Sequence, residues 1–492
     1  MLTLYTIGTI DPGIKEALRD LDGTISLQPT DHGQVTILAQ GPHLVITDDM
    51  VLWPMDWFNR EPPFLFPAMP ARVNTVLALV LTKLGHYELA MHYAEDPVLT
   101  GIIQCFQEVT GDVTSPNKHW SNDYIGTHNQ AIFRHYAHQE HDDSPASVIY
   151  EKAIELAPSA EMAAFTVRHY SVYLLDHGQM KQAEIELRRQ LDHALPDEAG
   201  FAIKFDLVNI LGKQLAVPYD IDLVDELKKM TWDTLQYYET AGMSVATAML
   251  LVEASEIANT QESYSESLGY INRAITIYDN EELPEFRANA LLRKATLLYT
   301  WAQDGNPQFF KPAVETFQQA LKTFSKQEAP AVFAEIHHHL GVIYAEMPHD
   351  SQQEGIWAAV SASSFKEALQ YFTKTGFPYD YAMIANNYAN ALMKYPEAKN
   401  SDNFEKAIFY YNEALSIRKA DEFPTERVHT LLNYLEACWR VHNINHNMEL
   451  LRHRDMTMKA KEVKALTTDP GLLEQADEHL EKLIALGRVL LS

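Results

Sequence analysis

Histidine offers this chain its most tempting chemistry. His135, His138 and His141 recur every third residue, His337, His338 and His339 are contiguous, and His442 and His446 stand four apart on an expected helix. An i,i+4 pair can ligate zinc or iron, but a site needs three or four converging ligands. Neither His-Glu-x-x-His nor a paired Glu-x-x-His motif occurs, and Glu335 with His338 and His339 is the sharpest combination. Packing and surface histidines are therefore expected, with no metal and no other cofactor. Cys438 and His442 also share helical spacing, as a thiolate and its base would. Cys438 lies in Leu435-Glu-Ala-Cys-Trp439, where small residues pack, so a buried, inert thiol is expected. The chain has no Gly-x-Ser-x-Gly, no phosphate-binding Gly-rich loop and no dinucleotide fingerprint after a strand. No catalytic residue is nominated, and a non-enzymatic protein is expected. A metal-dependent enzyme using the histidines is the alternative from that class, and elemental analysis of purified protein discriminates it.

Charge narrows the partners. The 492 residues carry 67 acidic and 39 basic side chains, a net charge of -28. Such a surface repels phosphate backbones and anionic lipid heads, which argues against nucleic acid and peripheral membrane binding. Acidity serves solubility first, and a basic partner is its sharper reading. Cys105 and Cys438 are the two cysteines, too few for a disulfide framework or a cysteine-built zinc site. The start Met1-Leu-Thr-Leu-Tyr-Thr-Ile-Gly lacks the basic and apolar parts of a signal peptide. No apolar run reaches the roughly 18 residues that span a bilayer, so a cytoplasmic protein is expected.

The elements that must position any site announce themselves by repetition. Pro284, Pro330, Pro378 and Pro424 are separated by 46, 48 and 46 residues, and Ala274, Ala320, Ala368 and Ala414 each lie ten residues before one of them. Two landmarks keeping one spacing through four copies make an internal repeat. Around the alanines stand Ile271-Asn-Arg-Ala-Ile, Phe317-Gln-Gln-Ala-Leu, Phe365-Lys-Glu-Ala-Leu and Tyr411-Asn-Glu-Ala-Leu. From about residue 71 onward the periodicity is helical. Residues 1–70 differ: Leu2–Ile7, Thr24–Gln28, Val35–Ala39 and His43–Thr47 read as short strands, with one helix over Ile14–Leu21. Trp53, Trp57, Phe58, Phe64 and Phe66 then stand among Pro54, Pro62, Pro63, Pro67 and Pro70. The prolines forbid regular structure there, and the aromatics are expected to seal the end of the array.

Gly85-His-Tyr-Glu-Leu-Ala90, Gly178-Gln-Met-Lys-Gln-Ala183 and Tyr150-Glu-Lys-Ala-Ile-Glu-Leu-Ala-Pro158 carry a Gly-x-x-x-x-Ala turn, an aromatic, small residues and a closing proline. These signatures resemble the tetratricopeptide repeat, in which paired helices touch at Ala, Gly or Ser. The family unit is 34 residues. Here Ala295 to Ala313 is 18 residues, Gly341 to Ser361 is 20 and Ala389 to Ala407 is 18. Both turns are lengthened by about six residues relative to the 34-residue unit, which accounts for 46. With Phe377-Pro-Tyr-Asp-Tyr-Ala-Met-Ile-Ala-Asn-Asn387 and Asn403-Phe-Glu-Lys-Ala-Ile408, this long-loop form resembles the arrays found beside bacterial CHAT (caspase-like) proteases. The resemblance covers 264–440 best and 71–263 less well, and residues 200–245, with Val217-Pro-Tyr-Asp-Ile-Asp222, break the pattern. It implies an all-α, right-handed α-solenoid of tetratricopeptide-like helix hairpins with a small N-terminal α/β cap. The divisions are 1–70 for the cap, 71–263 for divergent repeats, 264–445 for long-loop repeats and 446–492 for capping helices.

The same resemblance implies a site on the first helix of each hairpin, which lines the concave face in the family. Family positions fall on Asn289, Leu292, Arg293, Thr296 and Tyr299, then on Glu335, His338, His339, Val342 and Ala345. They continue with Met383, Asn386, Asn387, Asn390 and Met393 beside Lys394, then His429, Leu432, Asn433, Glu436 and Trp439 beside Arg440. An asparagine amide donates to and accepts from an extended peptide at once, and asparagine needs a reason to recur inside helices. The nominated partner-binding residues are Arg293, Tyr299, His339, Asn386, Asn387, Asn390, Lys394, Asn433, Trp439 and Arg440. Only Arg293, Lys394 and Arg440 are cationic, each on a different repeat, which speaks against a carboxylate clamp. The function implied is a scaffold or adaptor that takes a protein or peptide segment. A sensor subunit for a separately encoded effector enzyme is the alternative. Asparagines that merely brace neighbouring helices are the structural one.

Overall fold

The computed structural model describes residues 2–21, 23–30, 43–58, 62–111, 120–137, 145–216, 218–348, 350, 352–397, 402–441 and 445–490. Val35–Ala39, His138, His141, Val217 and His442 fall outside them. The chain divides into two compact units, Met1–Glu262 and Ser263–Ser492.

The N-terminal unit opens with a five-stranded sheet: β1 (Leu2–Thr6), β2 (Ile25–Pro29), β3 (His43–Ile46), β4 (Met50–Leu52) and β5 (Met69–Pro70), in the order β2-β1-β3-β4-β5. β1 pairs in parallel with β2 and β3, and the remaining pairs are antiparallel. Helix α1 (Pro12–Leu18) connects β1 to β2 and buries Ile14 and Leu18, with Asp11 capping it by accepting from the Gly13 N–H at 2.6 Å. A 3-10 turn, Arg19–Leu21, completes the expected helical stretch. β4 and β5 were not legible as strands. β5 holds Pro70 at the sheet edge, where a missing N–H costs no ladder bond.

Among the described residues of this unit, ten helices follow: α2 (Val73–Lys83), α3 (Tyr87–Tyr93), α4 (Pro97–Thr110), α5 (Tyr124–Tyr136), α6 (Ala146–Leu156), α7 (Ala160–Asp176), α8 (Met180–Leu191), α9 (Asp197–Gln214), α10 (Ile221–Thr240) and α11 (Ser244–Thr260). Consecutive helices pack as hairpins, and α5, α7 and α9 also touch one another side by side. Residues 200–245, expected to break the pattern, form the paired helices α9 and α10. Phe201 lies flat on Tyr237 with ring centroids 4.1 Å apart, so an aromatic stack joins the two helices.

The C-terminal unit holds α12 (Tyr264–Asn280), α13 (Pro284–Gln303), α14 (Phe310–Ala320), α15 (Pro330–Glu346), α16 (Glu354–Tyr371), α17 (Pro378–Lys394), α18 (Asn403–Ile417), α19 (Pro424–Arg440), α20 (His446–Leu466) and α21 (Pro470–Leu490). All four ruler prolines occupy the first turn of a helix, where the absent N–H had no partner to lose. α13, α15, α17 and α19 are the first helices of their hairpins, and α15, α17 and α19 lie side by side. Small residues set the approach within a hairpin. A Cβ on Gly341 would stand 2.9 Å from the Phe365 ring, and the Ser361 hydroxyl donates to the Gly341 carbonyl at 2.5 Å. Both units are rows of tetratricopeptide-like helix hairpins, the first preceded by the small α/β sheet.

Candidate functional site

In the C-terminal unit the face made by the first helices is crossed by a ladder of side-chain hydrogen bonds. Glu346, at the end of α15, is its densest rung. Its carboxylate accepts from the Tyr299 hydroxyl at 2.7 Å and Gln303 Nε2 at 3.1 Å, both on α13, and from Lys394 Nζ on α17 at 3.1 Å. Burial works against the charge of Glu346, but the Tyr299 hydroxyl and Lys394 outweigh it and hold the carboxyl below its ordinary range. Burial and the bond to Glu346 together push the Tyr299 hydroxyl far up, so it remains a donor.

The asparagines continue the ladder. Asn387 Nδ2 donates to His338 Nε2 at 3.0 Å, which requires a neutral ring protonated on Nδ1. Burial, with His339 beside it, lowers His338 to about 3. Asn386 Oδ1 accepts from the Thr430 hydroxyl at 3.2 Å, and Asn390 Oδ1 from the Tyr411 hydroxyl at 2.7 Å and Asn433 Nδ2 at 3.2 Å. Trp439 Nε1 donates to His479 Nδ1 at 3.0 Å. His339 lies flat against Phe317, 5.4 Å between centroids, and Arg293 and Arg440 are exposed.

Thus the nominated residues divide. Asn386, Asn387, His339 and Trp439 spend their contacts on neighbouring helices. Asn390, Lys394 and Asn433 converge with Met393, Glu436, Glu346 and Tyr411 on an open pocket of about 330 Å3. Asn390 Nδ2 and Asn433 Oδ1 have no side-chain partner among the described residues, and both residues line that space. Glu346 and Tyr411 were missed in sequence. Tyr411 had a signal: across the four aligned copies, Ile271, Phe317, Phe365 and Tyr411, it alone carries a hydroxyl.

The N-terminal unit uses the same chemistry on its own chain. Of the residues expected to seal an end, Trp53, Phe64 and Phe66 pack around Phe106 of α4, while Trp57 and Phe58, with Leu65, lie against α5, α7 and α10. Asn129 on α5 grips both polar atoms of Leu65: the Leu65 N–H donates to Oδ1 at 2.7 Å and Nδ2 donates to the Leu65 carbonyl at 2.8 Å. His128 Nε2 donates to the Pro63 carbonyl at 2.9 Å. On α7, Arg168 donates to the Trp57 carbonyl and is held by Asp206 on α9 at 2.6 Å. Trp57 stands edge-on to Phe165 at 5.2 Å, Phe58 edge-on to Tyr238 at 5.9 Å, and Trp53 stacks on Phe66 at 4.2 Å. None of His128, Asn129 or Arg168 was singled out in sequence, because this region could not be registered on the repeat.

Cys438 is buried and its thiol is pushed up to about 11, chiefly by burial. Among the described residues no three His, Cys, Asp or Glu side chains converge as a metal would need, and no helix is long and apolar enough to cross a membrane. Glu335 is exposed while His338 is buried against Asn387.

The fold is tetratricopeptide-like. Solved structures similar to this chain include a tetratricopeptide repeat protein from Parabacteroides merdae, 13% identical over 65% of this chain and 98% of that one, with a TM-score of 0.39. A human IFIT1 dimer with PPP-AAAA is 14% identical over 84% of each chain, with a TM-score of 0.43. Rap protein complexed with competence and sporulation factor is 10% identical over 85% of this chain and 98% of that one, also at 0.43. Superpositions this loose carry no argument about ligand or partner. No family model matches the chain, and no curated protein matches it.

Proposed function

We propose that the C-terminal unit is a non-enzymatic adaptor that captures an extended protein segment on its first-helix face, within residues 264–445. The observation carrying this reading is the Asn129 grip on Leu65, in which one helix-borne amide reads the N–H and the C=O of a residue outside any strand or helix. Asn390 and Asn433, lining an open pocket, offer the same donor and acceptor. Met393 supplies an apolar wall, and the Tyr299–Glu346–Lys394 rung fixes the neighbouring helices. The acidic surface favours a basic or neutral segment over nucleic acid. A cytoplasmic setting accords with this role. An adaptor beside a separately encoded effector, as the long-loop resemblance suggests, is the finer form of the reading, and an effector gene next to this one would support it.

The test is photo-cross-linking from benzoyl-phenylalanine at Met393 in cells of the native host, with benzoyl-phenylalanine at the exposed Glu315 as control. A discrete protein adduct from position 393, reduced about tenfold by Asn390→Ala with Asn433→Ala, is the expected result. Identical adducts from both positions would sink the assignment.

A further inference from the structure

In the N-terminal unit, helix side chains hold a stretch of the chain's own backbone. Four main-chain atoms, the carbonyls of Trp57, Pro63 and Leu65 and the N–H of Leu65, are read by Arg168, His128 and Asn129. All three side chains are buried, at 4%, 0% and 2% exposure. Buried main-chain groups need hydrogen-bond partners, and here three buried helix side chains, rather than a neighbouring strand, supply them. Reading main-chain atoms with side chains is also how a site for a peptide segment works, because those atoms are the same in every sequence. Selectivity then falls to the side chains, and Trp57, edge-on to Phe165, shares one buried cluster with Tyr124, Ala164, Ala199 and Ala202. The supports are fixed in advance: Asp206 orients Arg168, and the Thr166 hydroxyl holds His128 Nδ1 at 2.9 Å.

We infer that this face of α5, α7 and α9 is an exchangeable recognition site for an extended, aromatic segment. The chain's own Trp57 and Pro63–Leu65 are its resident occupant, and a segment of the same chemistry supplied from outside competes for it. The proposal stands on contacts within the N-terminal unit alone and is independent of the C-terminal pocket.

The probe is a fluorescein-labelled peptide with the sequence of residues 53–66, titrated by anisotropy into the full-length chain. Wild type should bind it weakly, because the resident segment competes. Trp57→Ala, which removes the indole from that cluster, should bind it about tenfold more tightly. That gain should vanish when the peptide carries alanine for its second tryptophan, or when Asn129→Ala is added. A peptide that binds neither protein, or both equally, overturns the proposal. Should Trp57→Ala abolish the cooperative melt, hydrogen exchange on wild type decides alone. The Leu65 amide should exchange roughly 100-fold faster than the interior amides of α7, reporting local release. Equal protection would make the stretch an inseparable part of the core and overturn the proposal.

Discussion

At the residue scale the decisive groups are buried histidines kept neutral by what surrounds them. His128 is lowered to about 4, chiefly by burial, and faces Tyr124, Thr166, the Pro63 carbonyl, Phe165 and His169. His169 is driven well below its ordinary value, first by burial and then by Arg168, His128 and His135, and its Nε2 has no hydrogen-bond partner among the described residues. Both folded values lie below the unfolded value near 6.5, so their stabilisation is complete above that pH and drains away as pH falls toward 4. His128 alone accounts for up to about 3 kcal/mol across that window. Thermal melts between pH 7 and 4.5 should therefore fall steeply, and His128→Gln, which keeps a donor for Pro63, should flatten the fall. A melt insensitive to pH in wild type would contradict the neutral-histidine assignment. The asparagines teach the complementary lesson: Asn386 and Asn387 brace helices, while Asn390 and Asn433 brace each other and leave one polar amide atom each without a side-chain partner among the described residues.

At the element scale, the hairpins of the C-terminal unit were legible because four prolines and four alanines mark fixed points in each. The prolines open the first helices, and the small residues sit where two helices meet. Gly341 shows how tight that meeting is. Gly341→Ala would drive a methyl group into the Phe365 ring and should cost about 1–3 kcal/mol in urea unfolding, partly recovered by adding Phe365→Leu. Two independent, additive effects would show that the contact does not set the spacing. Glu282, with φ of 56° in the turn between α12 and α13, holds a conformation glycine adopts without strain. Glu282→Gly should leave stability unchanged or raise it by up to about 1 kcal/mol, where most helix-end changes to glycine lower it. What sequence did not disclose was the path of residues 53–66. The irregular backbone forecast from the prolines holds in the described part of 53–68 but not at Met69–Pro70, which pairs as β5. The partners of Trp57 and Leu65 lie about 64 to 111 positions away, and no local pattern encodes them. Glu346 escaped notice for a related reason: it lies one residue past the last family position in its helix, and its role appears only when Tyr299 and Lys394 arrive beside it.

At the scale of the whole molecule, charge governs encounter. With a net charge of -28, the chain should draw a basic or neutral segment and repel polyanions. Raising salt from 50 to 500 mM shortens the screening length several-fold, so the association rate for a basic segment should drop by about tenfold or more, with a smaller change in dissociation. An association rate that rises with salt would exclude steering by the acidic surface. The claim at the centre is that Asn390 and Asn433 read the main chain of a captured segment. Calorimetric titration of the segment cross-linked at Met393 tests it most directly, comparing wild type with Asn390→Ala plus Asn433→Ala. The account predicts an affinity loss of about tenfold or more with helix content unchanged. Equal affinities for the two proteins would contradict it.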